Sequence, residues 1–273
     1  MSRPYLRLAS EAPAPLSASP IIEMRGVSKT YRTRDGDVPS LKPIDFTINE
    51  GEFLVVVGPS GCGKSTLLKM VAGLLPPSAG EIRVEGRTIT KPHPGVGVVF
   101  QQPLLLPWRS VFANVMMPVE VKGLDRTIYG RRATELLEMT GLGDFANKYP
   151  WQLSGGMQQR ASICRALVHD PKIVLMDEPF GALDAMTREK MNVELQRIQS
   201  TTGKTVLFIT HSIPEAVFLA DRVLVMSERP GTIAAVYEVG LERPRTLDVM
   251  ADPRFVALTQ KIRHHFYAQG GLD

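Results

Sequence analysis

Residues 58–66 decide the fold, and they read Gly58-Pro59-Ser60-Gly61-Cys62-Gly63-Lys64-Ser65-Thr66. They match the pattern G-x-x-x-x-G-K-[ST] at all of its fixed positions. The apolar run at 53–57 predicts a buried strand before the loop, and residues 67–72 predict the first turns of a helix after it. This order predicts a glycine-rich loop whose N–H groups surround a chain of phosphates at the start of a helix.

Lys64 and Ser65 carry the chemistry expected of this loop. The Lys64 ammonium is predicted to reach the β- and γ-phosphates of a nucleotide, and the Ser65 hydroxyl is predicted to bind Mg²⁺. The alternative is a glycine-rich turn that binds nothing. The strand before the loop and the helix after it favour the phosphate site.

The composition is that of a folded protein without a membrane-spanning segment. The 273 residues are 44% hydrophobic and 22% charged, so the chain can bury a sizeable core. No apolar run approaches the roughly 20 residues that a spanning helix needs, and no signal-peptide core is visible, so we expect a cytoplasmic protein. The net charge of +4 comes without a clustered basic run, so we expect no nucleic-acid binding.

The two cysteines, Cys62 and Cys164, fit a reducing compartment and predict neither a disulfide framework nor a metal site. Cys62 lies inside the phosphate loop beside Lys64. Two interpretations of Cys62 stay open at this point. It is either a reactive thiol whose pKa the lysine lowers, or a small residue that fits the loop.

The rest of the chain divides by composition and periodicity. Residues 1–20 are rich in Pro, Ala and Ser and are predicted to be a disordered extension. Strand patterns at 21–27 and 41–48 predict an antiparallel β layer ahead of the phosphate loop. From about 110 to 168 the pattern is mostly helical, and residues of about 103–155 are predicted to be a helical subdomain inserted into the α/β core. A C-terminal tail, 241–273, is predicted to contain a helix that starts near Pro253.

Polar residues follow two further predicted strands. The apolar run at 173–176 ends in Asp177 and Glu178, and the run at 206–209 is followed by Thr210 and His211. Ligands bind where parallel strands end, so Asp177 is predicted to hold Mg²⁺ through water and Glu178 to polarise a water molecule. His211 is expected at the same edge. The alternative for each residue is a purely structural polar strand end.

A second anion site is predicted at 153–160, which reads Leu153-Ser154-Gly155-Gly156-Met157-Gln158-Gln159-Arg160. Ser-Gly-Gly directly before a helix offers free N–H groups, a hydroxyl and the positive end of the helix dipole. The alternative is an ordinary helix cap provided by Ser154.

With these motifs in place, the sequence resembles the ATP-binding cassette (ABC) family over about residues 21–240. The phosphate loop matches its Walker A motif, 173–178 its Walker B motif, and 153–160 its signature motif. The resemblance implies an α/β fold: a P-loop NTPase core with a mostly parallel sheet, an N-terminal antiparallel β layer and an inserted helical subdomain.

The resemblance also implies roles for residues matched position by position. Tyr31 would stack on adenine, Gln101 would contact Mg²⁺ and the attacking water, and His211 would contact the γ-phosphate. Glu178 would be the general base, and Asp177, Ser65 and Gln101 would form the metal site. The implied ATP-binding residues are Tyr31, Gly58, Pro59, Ser60, Gly61, Cys62, Gly63, Lys64, Ser65, Thr66, Ser154, Gly155, Gly156 and Asp184.

The implied activity is ATP hydrolysis that drives transport. Two copies would pair head to tail, with each ATP between Walker A of one copy and the signature motif of the other. Residues 104–108 and 227–231 further resemble the nitrate/sulfonate/taurine import subfamily. That subfamily implies a separate membrane permease, an external solute-binding protein, a small anion as solute and a place on the cytoplasmic face of the inner membrane.

Two alternatives remain for the function at this stage. A soluble ABC ATPase could act on nucleic acid or ribosomes, although such proteins tend to carry coiled-coil insertions or zinc motifs, and none is visible here. An importer could instead take up a cofactor precursor. Trp108 is a candidate contact for the permease, and a local packing role is its alternative.

Overall fold

The computed structural model describes residues 19–34 and 36–267, so residues 1–18 of the extension predicted at 1–20 lie outside the described residues. The predicted boundary is slightly too late, because Pro20 already belongs to the first strand. Ten strands and seven α-helices follow one another in these parts of the chain. The strands are β1 (Pro20–Thr33), β2 (Gly36–Asn49), β3 (Phe53–Val57), β4 (Ala79–Val84), β5 (Arg87–Thr88), β6 (Val96–Val99), β7 (Ile173–Asp177), β8 (Thr205–Ile209), β9 (Arg222–Met226) and β10 (Ile233–Glu238). The helices are α1 (Lys64–Val71), α2 (Val111–Val121), α3 (Arg126–Met139), α4 (Gly155–Leu167), α5 (Ala185–Thr202), α6 (Ile213–Leu219) and α7 (Pro253–Tyr267).

The predicted antiparallel layer is a four-stranded sheet in the order β2-β1-β4-β5. Its first two strands are longer than the sequence predicted, because they stay paired as far as Thr33 and Gly36. The periodicity indicated only their inner halves, since the outer halves are largely exposed and lack an apolar stripe.

The second sheet has six strands in the order β10-β9-β3-β8-β7-β6, and only the β10 edge pairs antiparallel. The mostly parallel core is therefore confirmed. The four strands β3, β8, β7 and β6 run parallel side by side, so their carboxyl ends lie along one edge of the sheet. That edge carries the phosphate loop, His211, Glu178 and Gln101 in spatial order.

The six-stranded sheet separates two apolar cores. Phe53, Val55 and Val57 of β3 face a core that also contains residues of α2 to α7, whereas Leu54 and Val56 face the antiparallel sheet and α1. Strict alternation along a strand produces this division. Because α1 is buried between the two sheets, the helix that starts at the phosphate loop is fixed on both sides.

Arg245 attaches the segment after β10 to the end of α6. Arg245 is 4% exposed, and its guanidinium donates to the carbonyl oxygens of Val217, Phe218, Ala220 and Leu241 at distances between 2.8 and 3.3 Å. Burial lowers the pKa of Arg245 to about 10. The last carbonyls of a helix have no partner within the helix, so this side chain satisfies the end of α6.

The predicted C-terminal helix is present as α7, which starts at Pro253. Phe255 and Ile262 are buried and Leu258 packs against the same core, while the side chain of Phe266 lies outside the described residues. The division of the chain into a cassette, an inserted subdomain of about 103–155 and a separate tail stays a prediction. Within the described parts of the chain, no helix is both long enough and apolar enough to pass through a membrane.

Candidate functional site

The phosphate loop is built around the buried side chain of Lys64. Its ammonium donates to the carbonyl oxygens of Gly58 at 2.8 Å and Pro59 at 2.7 Å. Lys64 is only 7% exposed, and no carboxylate in the described residues forms an ion pair with it. A buried cation without an opposite charge is costly unless a ligand supplies one. The loop is therefore suited to an anion.

Gly63 shows why the glycines of this loop are required. Its φ is 106°, in the left-handed region, and a Cβ here would lie 2.6 Å from Cδ2 of Leu41. Real Cβ atoms do not approach other atoms so closely. A side chain at Gly63 would be strained at this φ and would require the buried Leu41 side chain to move, so the backbone path favours glycine.

Ser65 and Asp177 lie together at the predicted metal position. The Ser65 hydroxyl donates to Oδ1 of Asp177 at 3.0 Å across the gap between α1 and β7. Burial raises the pKa of Asp177 above the ordinary value, and the bond from Ser65 acts in the opposite direction. A hydroxyl and a carboxylate are both oxygen ligands that suit Mg²⁺.

Glu178 is held by two of the predicted site residues. Its Oε2 accepts a hydrogen bond from Nε2 of Gln101 at 3.3 Å, and Nδ1 of His211 lies 3.5 Å from the same oxygen. Glu178 has a positive φ of 45°, which is uncommon for a residue with a side chain. Such backbone strain concentrates at functional sites. The carboxylate is thus aimed at Gln101 and His211, while Asp177 turns toward Ser65.

Tyr31 lies at the far side of the phosphate loop. Its hydroxyl is 3.2 Å from Oγ1 of Thr66, and the residue is 36% exposed. Lys29 lies over its ring, with the ammonium 5.5 Å from the centroid. The structure therefore places a partly exposed aromatic ring next to the loop, where the resemblance expected adenine to stack.

Ser154 and Asp184 cap helices and lie apart from the phosphate loop. Ser154 Oγ accepts from the N–H of Met157 at the start of α4, and Asp184 Oδ1 accepts from the N–H of Thr187 at the start of α5. No hydrogen bond or ion pair within residues 19–34 and 36–267 joins either residue to the loop. Ser154 and Gly155 are exposed. The signature segment thus remains available to a partner.

Cys62 is not a reactive thiol in this structure. It is 1% exposed, and burial raises its pKa despite the neighbouring Lys64. The interpretation of a lowered pKa is therefore wrong, and the small residue that fits is the better one. Sequence alone could not decide this, because the burial comes from the tertiary packing of the loop.

We expect a maleimide at neutral pH to label native Cys62 slowly even without nucleotide, because the thiolate is the reactive form. Mass spectrometry should find almost unmodified native chain and two adducts per chain in denaturant, since Cys164 is also buried. Rapid addition of a single label to the native chain would contradict the buried position of Cys62.

Two residues of α4 hold the segment that begins at Gln101, and sequence analysis missed both. Gln159 donates to the carbonyl oxygen of Phe100 at 3.0 Å, and Arg165 donates to those of Pro103 and Leu104 at 2.7 and 2.8 Å. Gln159 lies within the signature motif, which gave it no role of its own, and the only sequence signal of Arg165 is a charge in the buried half of α4. They connect the signature helix to the loop that presents Gln101.

A further missed residue is Glu215, which lies behind His211. It is 6% exposed, accepts a hydrogen bond from Asn192 at 3.3 Å and has its pKa raised by burial. A small cavity is lined by Glu215 together with Glu178, Arg188 and His211. An isolated acid in the apolar run of α6 was its only sequence signal.

Taken together, these residues fit a nucleoside triphosphate with Mg²⁺. The Lys64 ammonium, which forms no ion pair within the described residues, and the glycine backbone suit the phosphates. The Ser65–Asp177 pair has the oxygen ligands for the metal. Glu178 is placed to accept a proton from water beside them.

The family model described as ABC transporter matches residues 41–181, which is more than half of the chain. This chain belongs to the ABC transporter family. Membership of this family and the likeness to solved ABC cassettes identify the chain as an ATPase. The predicted resemblance and the predicted α/β fold of a P-loop NTPase are confirmed.

Relatives of this ABC ATPase carry import functions in their names. The taurine import ATP-binding protein TauB of Rhizobium johnstonii is 48% identical over 231 residues, covering 83% of this chain and 88% of that protein. The bicarbonate transport ATP-binding protein CmpD of Synechocystis sp. is 43% identical over 255 residues, covering 92% and 90%. These relatives agree with the predicted nitrate/sulfonate/taurine import subfamily.

A solved structure of another cassette shares the fold. The dimeric structure of the ATP-binding cassette MJ0796, in a post-hydrolysis state with ADP and Pi, has a TM-score of 0.74 with this chain. It is 34% identical and covers 81% of this ABC protein and 100% of its own chain.

Proposed function

We propose that this ABC ATPase powers the uptake of a small organic or inorganic anion through a separate membrane permease. One observation carries the hydrolysis that would power this uptake: four adjacent parallel strands bring the phosphate loop, His211, Glu178 and Gln101 to one edge. The names of the taurine and bicarbonate relatives support the class of solute. Neither relative supports the alternative of an ATPase that acts on nucleic acid or ribosomes.

The nucleotide would be shared by two copies of the chain. Walker A of one copy would hold the phosphates through Lys64 and the loop N–H groups, and Tyr31 would support the base. Ser154, Gly155 and Gly156 of the second copy would face the γ-phosphate, and Asp184 would lie near the same interface. The exposed start of α4 and the dimeric relative support this arrangement. A triphosphate between two electropositive surfaces attracts both.

Hydrolysis would use the residues gathered at the strand ends. Glu178 would accept the proton of the attacking water, with Gln101 and His211 orienting that carboxylate and the water. Ser65, Asp177 and Gln101 would hold Mg²⁺, which supplies positive charge to the phosphate oxygens. Loss of the γ-phosphate would weaken the attraction between the two copies, so binding and hydrolysis would close and open the pair.

The permease is the partner that transport requires, and we place this ATPase on the cytoplasmic face of the inner membrane. Trp108 is 72% exposed and follows the Gln101 segment, so it stays a candidate contact for the permease. An external binding protein would supply the solute, and it would determine whether an anion or a cofactor precursor enters.

The test is to purify the full-length chain with the permease that accompanies it and to reconstitute the complex in lipid vesicles. We expect ATP-dependent uptake of a small anion such as taurine or bicarbonate, and loss of uptake with Lys64→Ala. The permease should stimulate hydrolysis, whereas RNA and ribosomes should not. Uptake that survives Lys64→Ala, or stimulation by RNA alone, would overturn the proposal.

A further inference from the structure

The segment 227–231, Ser-Glu-Arg-Pro-Gly, follows β9 and has no role in the site described above. In the structure its last residue, Gly231, is bonded to β2 by its own backbone. The Gly231 N–H donates to the carbonyl oxygen of Ser40, and the N–H of Lys42 donates to that of Gly231, both at 2.9 Å. A segment that is remote in sequence is therefore fixed beside the strand that borders the phosphate loop.

Gly231 also lies against the phosphate loop without space for a side chain. A Cβ on Gly231 would be 2.0 Å from the carbonyl oxygen of Cys62, whereas real Cβ atoms stay at least 3.0 Å away. An alanine at position 231 would therefore require the loop and the segment 227–231 to move apart by about 1 Å. The φ of Gly231 is outside the left-handed region, so the requirement for glycine here is steric rather than conformational.

The phosphate loop packs against the end of β9 on one side and against β2 on the other. Gly58 packs on Met226, where a Cβ would lie 3.0 Å from Met226 Cβ, and Gly63 packs on Leu41 of β2. The segment 227–231 connects these two contacts, because it begins directly after Met226 and its last residue, Gly231, is hydrogen-bonded to β2. The backbone of Gly231 therefore contacts the phosphate loop at Cys62.

We propose that Gly231 is a positioning residue for the phosphate loop. The segment 227–231 fixes the distance between β2 and the loop, and so the position of the loop N–H groups relative to the nucleotide. The hydroxyl of Ser227 accepts from the N–H of Thr232 at 3.0 Å and closes the turn, and Arg229 Nε donates to the Pro39 carbonyl at 3.3 Å. The inference rests on the proposed function only in that the loop binds ATP. It adds a determinant of affinity that contacts no nucleotide.

The experiment compares Gly231→Ala with Gly130→Ala. Gly130 lies in α3, where the nearest atom to an added Cβ is 4.0 Å away, so that variant controls for the change itself. Because a misplacement of about 1 Å can cost up to a hundredfold in a positioned site, we expect Gly231→Ala to raise the KM for ATP and the Kd for ADP about tenfold or more. The kcat at saturating ATP should change much less, as expected when uniform binding is lost.

A merely structural role for Gly231 would lower the melting temperature without separating KM from kcat. If Gly231→Ala keeps the ADP affinity of the wild type, the inference is overturned while the proposed function stands. If the wild-type chain itself binds no nucleotide, the proposed function and this inference fail together. These outcomes are distinguished by one titration of each protein with a fluorescent ADP analogue.

Hydrogen exchange on the unmutated chain provides a second test in case Gly231→Ala does not fold. We expect ADP to slow exchange at 40–42 and at 226–232 together, because the loop, β2 and this segment form one packed unit. Exchange in α3 serves as the internal control and should not change. Slowed exchange in the phosphate loop with none at 226–232 would refute the coupling.

Discussion

Replacing Glu178 with glutamine leaves ATP binding intact and reduces hydrolysis by about 10²–10⁴-fold, the range expected when a general base is removed. Glutamine keeps the shape of the side chain and can still bond to Gln101, but it cannot take a proton from water. The ATP-bound pair should then persist. Size-exclusion chromatography with MgATP should show a stable dimer, and single-turnover assays should show the loss of chemistry.

The matched control for this change is Glu135→Gln on the exposed side of α3. It removes the same charge away from the site, so both hydrolysis and the monomer–dimer equilibrium should stay as in the wild type. Near-normal turnover by Glu178→Gln would remove Glu178 from the role of base. Loss of ATP binding in that variant would show instead that Glu178 supports the loop.

Ser154→Arg should abolish hydrolysis while its own phosphate loop still binds ATP. The arginine places a bulky cation at the exposed start of α4, where the γ-phosphate held by the other copy would have to fit. It also removes the helix cap, at a cost of about 1 kcal/mol, which leaves the fold intact. Equilibrium binding of a nucleotide analogue and a steady-state phosphate assay measure the two effects separately. Ser200→Arg, at the exposed end of α5, is the control for added bulk and charge.

Mixing Ser154→Arg with Lys64→Ala makes the test of the shared site sharper. Each variant is inactive alone, but a mixed pair contains one site in which both the phosphate loop and the signature segment are intact. Random exchange of subunits would give about one quarter of wild-type activity if the two sites work independently. Hydrolysis by Ser154→Arg as a dilute monomer would disprove the shared site.

The sequence predicted which strand ends meet at one edge of the sheet, because each of these strands is a short apolar run followed by polar residues. The runs at 53–57, 173–176 and 206–209 each indicated a buried strand, and parallel strands place their carboxyl ends together. The positions of Asp177, Glu178 and His211 followed from that rule. The pattern G-x-x-x-x-G-K-[ST] fixed the loop in the same way.

What the sequence could not predict depends on contacts between distant segments. The raised pKa of Cys62 arises from its burial within the packed phosphate loop, and a motif carries no information about that burial. The sequence marks Gly231 only as a turn residue, although in the structure it packs against the carbonyl oxygen of Cys62. The support that Gln159 and Arg165 give to the Gln101 segment crosses about 60 residues of chain and has no periodic signal.

The attachment of Arg245 to α6 has a practical consequence for anyone who shortens this protein for expression. The family match ends at 181 and the predicted cassette ends near 240, so a truncation at Gly240 looks harmless on sequence grounds. Such a truncation would strip the carbonyl oxygens of Val217, Phe218 and Ala220 of their donor just after the segment that presents His211. A shortened chain should therefore keep Arg245, the donor that these carbonyl oxygens share.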